Sequence, residues 1–302
     1  MKALSVHLTD ICNSKCSFCI VDSPFVKDDS ISRKRVSRFL QDNAGQGYEA
    51  VNIHGGEATI RRDLLDILDE IRDLGYPTVW LQTNGRKMAH MKYAQQLVDR
   101  NVSLFIVSMH GATALTQDRI SKSLGSFDQA VKGVRNIKEL GAKLRTNSVV
   151  CKDNLTEIPD IATLCMDLGA DHVNLSALHT AGTAFRNFWE VTPRYDEIQQ
   201  YVFEAVDRAV ARDRVITLEG FPHCAIPGYE QFMIDWKENR FKMLYRRYVF
   251  DDYENYMDAN SRVKDARCGG CAQNDTCGGV YKEYADMIGW DEFQPFTPTP
   301  VA

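Results

Sequence analysis

No stretch of this chain approaches the roughly 18 consecutive apolar residues that a membrane span needs. Its opening Met1-Lys-Ala-Leu-Ser-Val-His-Leu8 lacks the long apolar region of a secretory signal. A cytoplasmic protein with no membrane partner is expected. Excess positive charge is missing as well: 36 Lys and Arg against 41 Asp and Glu leave a formal net charge of -5. That balance argues against a protein whose main work is holding nucleic acid by its phosphates. Two local basic runs, Arg33 to Arg38 and Lys237 to Arg247 with Phe241 and Tyr245 interleaved, read as solvated helix faces; the alternative for the second is reception of an anionic substrate. There is no internal repeat beyond a strand-helix unit. The one low-complexity tract is the closing Phe296-Thr-Pro-Thr-Pro300, which reads as mobile.

What is there suits a soluble α/β protein. At 302 residues, with 44% hydrophobic and 25% charged residues, the chain fits one large domain with an appendage better than two equal halves. Short, β-branched apolar runs predict strands at Leu4 to Leu8, Ala50 to His54, Thr78 to Gln82, Leu104 to Ser108, Lys143 to Val150 and His172 to Leu175. Between them lie helical patterns. Leu64, Ile67, Leu68, Ile71 and Leu74 recur at three and four residues and stop at Gly75. Phe127, Val131, Val134 and Ile137 do the same before Gly141, and a later stripe runs through Ile198, Tyr201, Val202, Ala205 and Ala209. Six alternating units imply a parallel sheet covered by helices, either an incomplete (β/α) barrel or a doubly wound sheet, with function at the carboxyl ends of the strands.

Nine cysteines at 12, 16, 19, 151, 165, 224, 268, 271 and 277, clustered at short spacings, read as reduced metal ligands and not as a disulfide framework. The first three stand in Cys12-Asn-Ser-Lys-Cys16-Ser-Phe18-Cys19. Three thiolates so placed can hold three irons of a 4Fe-4S cluster and leave the fourth iron open to another ligand. Zinc fits less well, because its sites want four ligands and no histidine lies in this loop. The strand ends also carry Gly55-Gly56-Glu57, Thr83-Asn84-Gly85 and Ser108-Met109-His110.

These residues resemble the radical S-adenosylmethionine superfamily, whose Cys-x3-Cys-x2-Cys signature with an aromatic before the last cysteine is matched by Cys12, Cys16, Phe18 and Cys19. The resemblance covers about residues 1 to 212 and implies a partial (β/α)6 TIM-like barrel over 1–212. It further implies that S-adenosylmethionine chelates the open iron and is reductively cleaved to a 5'-deoxyadenosyl radical, with a reducing partner such as flavodoxin or ferredoxin. Gly55, Gly56 and Glu57 are then expected to receive the cofactor's amino group, and Phe18 to edge its adenine. Ser108, Arg145 and Asn147 are expected at its carboxylate and ribose.

The tail, residues 213–302, resembles part of the SPASM or twitch extensions that carry auxiliary clusters, with Cys268, Cys271 and Cys277 in Cys-x2-Cys-x5-Cys. The full pattern continues with further cysteines, which are missing here, so one auxiliary cluster is implied and not two. With Cys224 the tail has four thiolates, enough to saturate a second 4Fe-4S cluster or a structural zinc. Without Cys224 a second open iron would face the substrate. Cys165 reads as a small buried hydrophobe. Cys151, at a strand end, is the candidate hydrogen-atom donor of an epimerase, against a packing role; His54 and His110 are likewise read as packing residues or catalysts.

A saturated auxiliary cluster can accept the electron that an oxidation must discard. Dehydrogenation or radical bond formation on a small metabolite or natural-product intermediate is therefore the first expectation. Epimerisation and sulfur insertion are its relatives. A peptide (RiPP) maturase is the leading alternative, weakened by a first strand that begins within five residues of Met1 and leaves no room for a leader-binding domain. A non-catalytic iron-sulfur protein would need neither an open iron nor Gly55-Gly56-Glu57. The substrate itself is not named by these residues.

Overall fold

The computed structural model describes residues 2–27, 30–234 and 240–297. All six expected strands form, within a residue or two of their predicted ends: β1 (Lys2–His7), β2 (Ala50–His54), β3 (Val79–Thr83), β4 (Val102–Ser108), β5 (Lys143–Val150) and β6 (His172–Ala177). Each pairs in parallel with the next, and β7 (Ile216–Glu219) extends the series beyond β6. At the other edge β8 (Arg240–Tyr245) runs parallel to β1 and turns back as β9 (Tyr248–Phe250), giving the order β7-β6-β5-β4-β3-β2-β1-β8-β9. The sheet stays open, with β7 and β9 at its edges.

Helices cover the outer face because their stripes match its apolar side. Leu64, Ile67, Leu68 and Ile71 of the helix Leu64–Asp73 are all buried, each side chain contributing about 1.5–3 kcal/mol. The helices Ser126–Glu139 and Tyr195–Val210 bury Val134 and Ile137, and Ile198, Val202 and Ala205, in the same core. On β5 burial alternates residue by residue, so Leu144 and Val150 join the core while Arg145, Asn147 and Val149 line the sheet's inner, hollow side.

Two expectations change. Arg33 to Arg38 does lie on a helix (Arg33–Asn43) with Lys34, Arg35 and Arg38 exposed, but the described part of the second basic run is the β8 and β9 hairpin. Its Phe241, Met243 and Leu244 are buried, so the strand docked beside β1 buries residues on both of its faces. Lys237, like Pro298 to Pro300 of the closing tract, lies outside the described residues. The main sheet also runs across residue 212, since β7, β8 and β9 all come from the tail. The remainder of the tail pairs β10 (Arg262–Val263) with β11 (Val280–Tyr281) around the last three cysteines. Among the described residues no helix is long and apolar enough to cross a membrane.

Candidate functional site at the strand ends

The loop after β1 spreads over the carboxyl ends of the sheet, tied down along its length. Lys15 and Ser17 donate backbone N–H groups to Ser121 and Ile120, Thr183 donates to the Cys19 carbonyl, and the Asn187 amide donates to the Ser17 carbonyl at 2.8 Å. Beneath it opens a cavity of about 1020 Å³ lined by Cys12, Cys16 and Cys19 together with Phe18, Gly55, Gly56, Ser108, Arg145 and Asn147. Burial, aided by the nearby Glu57 charge, pushes the Cys12 thiol up to about 12. Cys16 is raised by burial and by Cys12 and Cys19 beside it. Three crowded thiolates are disfavoured there without a cation, which the irons of a cluster supply. No group of three or more His, Cys, Asp or Glu side chains among the described residues is gathered around a single-ion position. In a cubane each thiolate takes its own iron.

The glycines of the second motif serve the protein's own chain as well as the cavity. A Cβ on Gly55, whose φ is +146°, would stand 2.4 Å from the Thr9 carbonyl oxygen, and one on Gly56 would stand 2.4 Å from that of Ile11. Their absence lets the Gly56 N–H reach the Thr9 carbonyl at 2.5 Å and the Glu57 N–H reach Ile11 at 2.9 Å, which docks the start of the cysteine loop on the end of β2. Gly56→Ala is expected to cost about 1–3 kcal/mol through this overlap. A lowered melting temperature with poor iron incorporation would show it.

Glu57 is fully buried and does not line the cavity. Its Oε1 accepts from the Thr59 N–H and hydroxyl at 3.1 and 2.6 Å and from the Thr83 hydroxyl at 2.8 Å; its Oε2 accepts the Asn84 N–H at 2.7 Å. The carboxylate thus laces β2 to the end of β3, where Asn84 turns its amide toward Asn13 of the cysteine loop at 2.7 Å. Replacing Glu57 by Gln sets an amide against these donors and should destabilise the fold by about 1–3 kcal/mol, read by thermal unfolding.

Phe18 packs edge to face on His110, with ring centroids 5.0 Å apart. His110 accepts the Val149 N–H on Nδ1 at 3.2 Å, and burial pulls its pKa down to about 4, so the ring is neutral with the proton on Nε2. His54, lowered to about 3 by burial, bonds Ser5 at 2.9 Å. Cys151 is not brought into the cavity. It is fully buried with Phe18, Ile120, Leu178, Ala184 and Val191, its side chain caps the turn that follows, and burial raises its thiol to about 12. Cys151→Ala is therefore expected to leave the product and its hydrogen isotope content in deuterated buffer unchanged, by mass spectrometry.

The tail brings its cysteines together. Cys224, Cys268, Cys271 and Cys277 line a second, small cavity with Trp290, Phe293 and Phe296. Burial first, then Cys277, Cys268 and Cys271, raise the Cys224 thiol to about 12. Backbone N–H groups of His223, Gln273 and Gly279 point at the sulfurs of Cys277 and Cys271 at 3.4–3.5 Å, as donors to thiolates do. The donor set, four sulfurs in an aromatic pocket, fits a saturated cluster.

The inner wall holds residues that motif reading passed over. Glu219 on β7 accepts on Oε2 from Asn174 at 2.8 Å and from Ser176 and Arg145 at 3.3 Å, while Ser176 and Asn174 also bond Asn147 at 2.7 and 2.6 Å. Burial lowers the Arg145 pKa. Arg262 and Tyr281 reach the same cavity from the tail, and Tyr281 stacks on His179 at 4.3 Å. The polar alternation His172, Asn174, Ser176 on a buried strand was the readable signal.

A model of the Radical SAM superfamily matches residues 6–179, more than half of the chain. Among curated proteins, a probable GTP 3',8-cyclase of Sulfurisphaera tokodaii is 27% identical over 212 residues, 70% of this chain and 66% of that protein. One of Metallosphaera sedula is 27% identical over 218 residues, 71% of this chain and 67% of its own. The chain thus spans about two thirds of the length of such relatives. Among solved structures, Streptococcus suis SuiB bound to S-adenosylmethionine superposes with a TM-score of 0.69 at 16% identity, covering 98% of this chain and 76% of SuiB. Native anSMEcpe with bound AdoMet gives 0.68 at 12% identity, covering 98% and 93%. These likenesses carry the fold, an α/β partial barrel.

Proposed function

The chain belongs to the Radical SAM superfamily and is an enzyme of it, and on that premise we propose that it completes an oxidation or bond-forming step on a small molecule, with help from an auxiliary 4Fe-4S cluster in the tail. When bound, a reduced 4Fe-4S cluster and S-adenosylmethionine together supply a 5'-deoxyadenosyl radical that abstracts a substrate hydrogen. In this reading Cys12, Cys16 and Cys19 hold three irons. Gly55, Gly56 and the strand end laced by Glu57 receive the cofactor's amino group, and Ser108 and Asn147 its polar edge. Phe18 with neutral His110 keeps water from the reacting face. Cys224, Cys268, Cys271 and Cys277 hold the second cluster, which makes residues 213–302 an auxiliary-cluster domain even though three of its strands join the main sheet.

The observation that carries the reading is the pair of cysteine sites, one opening into a large cavity with three thiols and one closed in an aromatic pocket with four. An open site suits chemistry and a closed one suits electron transfer. Similarity over two thirds of the chain to probable GTP 3',8-cyclases supports a small-molecule substrate and bond formation. A peptide substrate is the second reading, favoured by the likeness in fold to SuiB bound to its precursor peptide SuiA, at a TM-score of 0.70. Anaerobically reconstituted protein incubated with S-adenosylmethionine and dithionite should release 5'-deoxyadenosine; none above a cluster-free control would sink the proposal.

A further inference from the structure

Two of the three arginines that line the cavity, Arg145 and Arg262, are paired unlike Arg61 and Arg246. Arg61 meets Asp63 in a two-point fork at 2.8 and 2.6 Å, and Arg246 meets Asp10 at 2.9 and 2.5 Å. By contrast Arg145, 16% exposed, gives one hydrogen to Glu219 at 3.3 Å, and its Nε has no hydrogen-bond partner although buried. Glu219 shares the accepting oxygen with Asn174 and Ser176. Arg262, 17% exposed, bonds the Tyr281 side chain and comes no nearer to a carboxylate than 3.6 Å, to Asp258. A guanidinium has five donors. Both side chains leave most of theirs unspent beside a cavity of about 1020 Å³, where a charge taken out of water needs a partner.

Their placement separates them from the cofactor's end. In the sheet register Arg145 lies opposite Ile106 and His172, whereas Asn147 lies opposite Ser108 and Asn174. Arg145 is thus two residues, about 6–7 Å, deeper than the strand ends under the cysteine loop. Arg262 sits over the Tyr281 ring, 5.2 Å from its centroid, and Tyr281 lies within electrostatic reach of Arg262 and Glu219 alike. The Tyr281 hydroxyl packs where a Cβ on Gly220 would be, at 2.7 Å, so β7 and the tail meet at this point.

We propose that Arg145 and Arg262 form an oxyanion clamp, in which the barrel and the tail together hold a carboxylate or phosphate of the substrate, with Glu219 orienting Arg145. The clamp rests on the enzymatic reading above and gives it a substrate class: a molecule with at least one anionic group, placed deeper than S-adenosylmethionine. Planar guanidinium forks match both oxyanions in two-point geometry.

The test uses the full chain, reconstituted anaerobically, titrated with inorganic phosphate and separately with succinate at constant ionic strength and followed by thermal shift. Phosphate or succinate should stabilise wild type and the exposed-surface control Arg38→Gln alike, and which of the two binds tighter identifies the oxyanion. Arg145→Gln and Arg262→Gln should each weaken that binding about ten-fold or more, as loss of a buried charged partner does, and Arg145→Lys by less. Equal protection of wild type and the double variant would overturn the clamp, as would a larger loss of S-adenosylmethionine affinity than of anion affinity in Arg145→Gln. If wild type releases no 5'-deoxyadenosine, the enzymatic reading fails whatever the anions do; if it does and the anions ignore the arginines, the clamp alone fails.

Discussion

Protein in which Cys12, Cys16 and Cys19 are all alanine should reconstitute with about four irons where wild type takes about eight, and should release no 5'-deoxyadenosine from S-adenosylmethionine. The expectation follows from separation of the two cysteine groups. The first three thiols line the large cavity and the last four a different one, so deleting the first group should not dismantle the second. The loop should also survive the change, since its anchors are mostly backbone bonds to Ser121, Ile120 and Thr183 and the Arg246 fork on buried Asp10. What the variant loses is a metal site and not a folding element. A surviving paramagnetic signal on reduction would belong to the tail. Retention of 5'-deoxyadenosine formation would remove these cysteines from the chemistry, and loss of all iron would mean that one cluster depends on the other.

Much of this was legible in the chain. Strands and helices followed from period, because the covering helices bury one stripe and the strands are short and β-branched. The cysteine loop followed from spacing alone. What escaped had physical causes. β7 is four residues long and follows a helix by a short turn, too little for alternation to declare itself, and β8 sits inside a basic run that reads equally as a polar helix. The glycine pair was expected to face the cofactor, yet its missing Cβ atoms also make room for Thr9 to Ile11, a contact between segments more than forty residues apart. Glu57 was expected to bind directly, but Thr59, Thr83 and Asn84 converge on it only once β2 and β3 pair. Arg262 and Tyr281 stand alone in an aperiodic tail, and only the fold carries them to β7.

Cys224→Ala should lower the iron content from about eight toward about four and abolish product while leaving 5'-deoxyadenosine formation in place. Spacing could not assign Cys224, which lies 44 residues before Cys268. Folding puts it beside Cys277, Cys268 and Cys271 in a pocket lined by Trp290, Phe293 and Phe296. A fourth thiolate would saturate a cluster held there, and an aromatic enclosure would keep water off it, which suits an electron acceptor better than a substrate-binding iron. Removing that thiolate exposes one iron to solvent in a site whose remaining ligands sit on one short excursion between β10 and β11, so the cluster should degrade. The residues of the first site would be untouched, so 5'-deoxyadenosine should still form, while an oxidation would lack its electron acceptor. Uncoupled turnover is the signature to look for. If the variant keeps all its iron and its product, Cys224 is not a ligand and the tail cluster has an open iron. If metal analysis of wild type finds zinc in the tail, the tail is a structural staple that cannot accept the electron, which favours redox-neutral chemistry such as epimerisation or rearrangement.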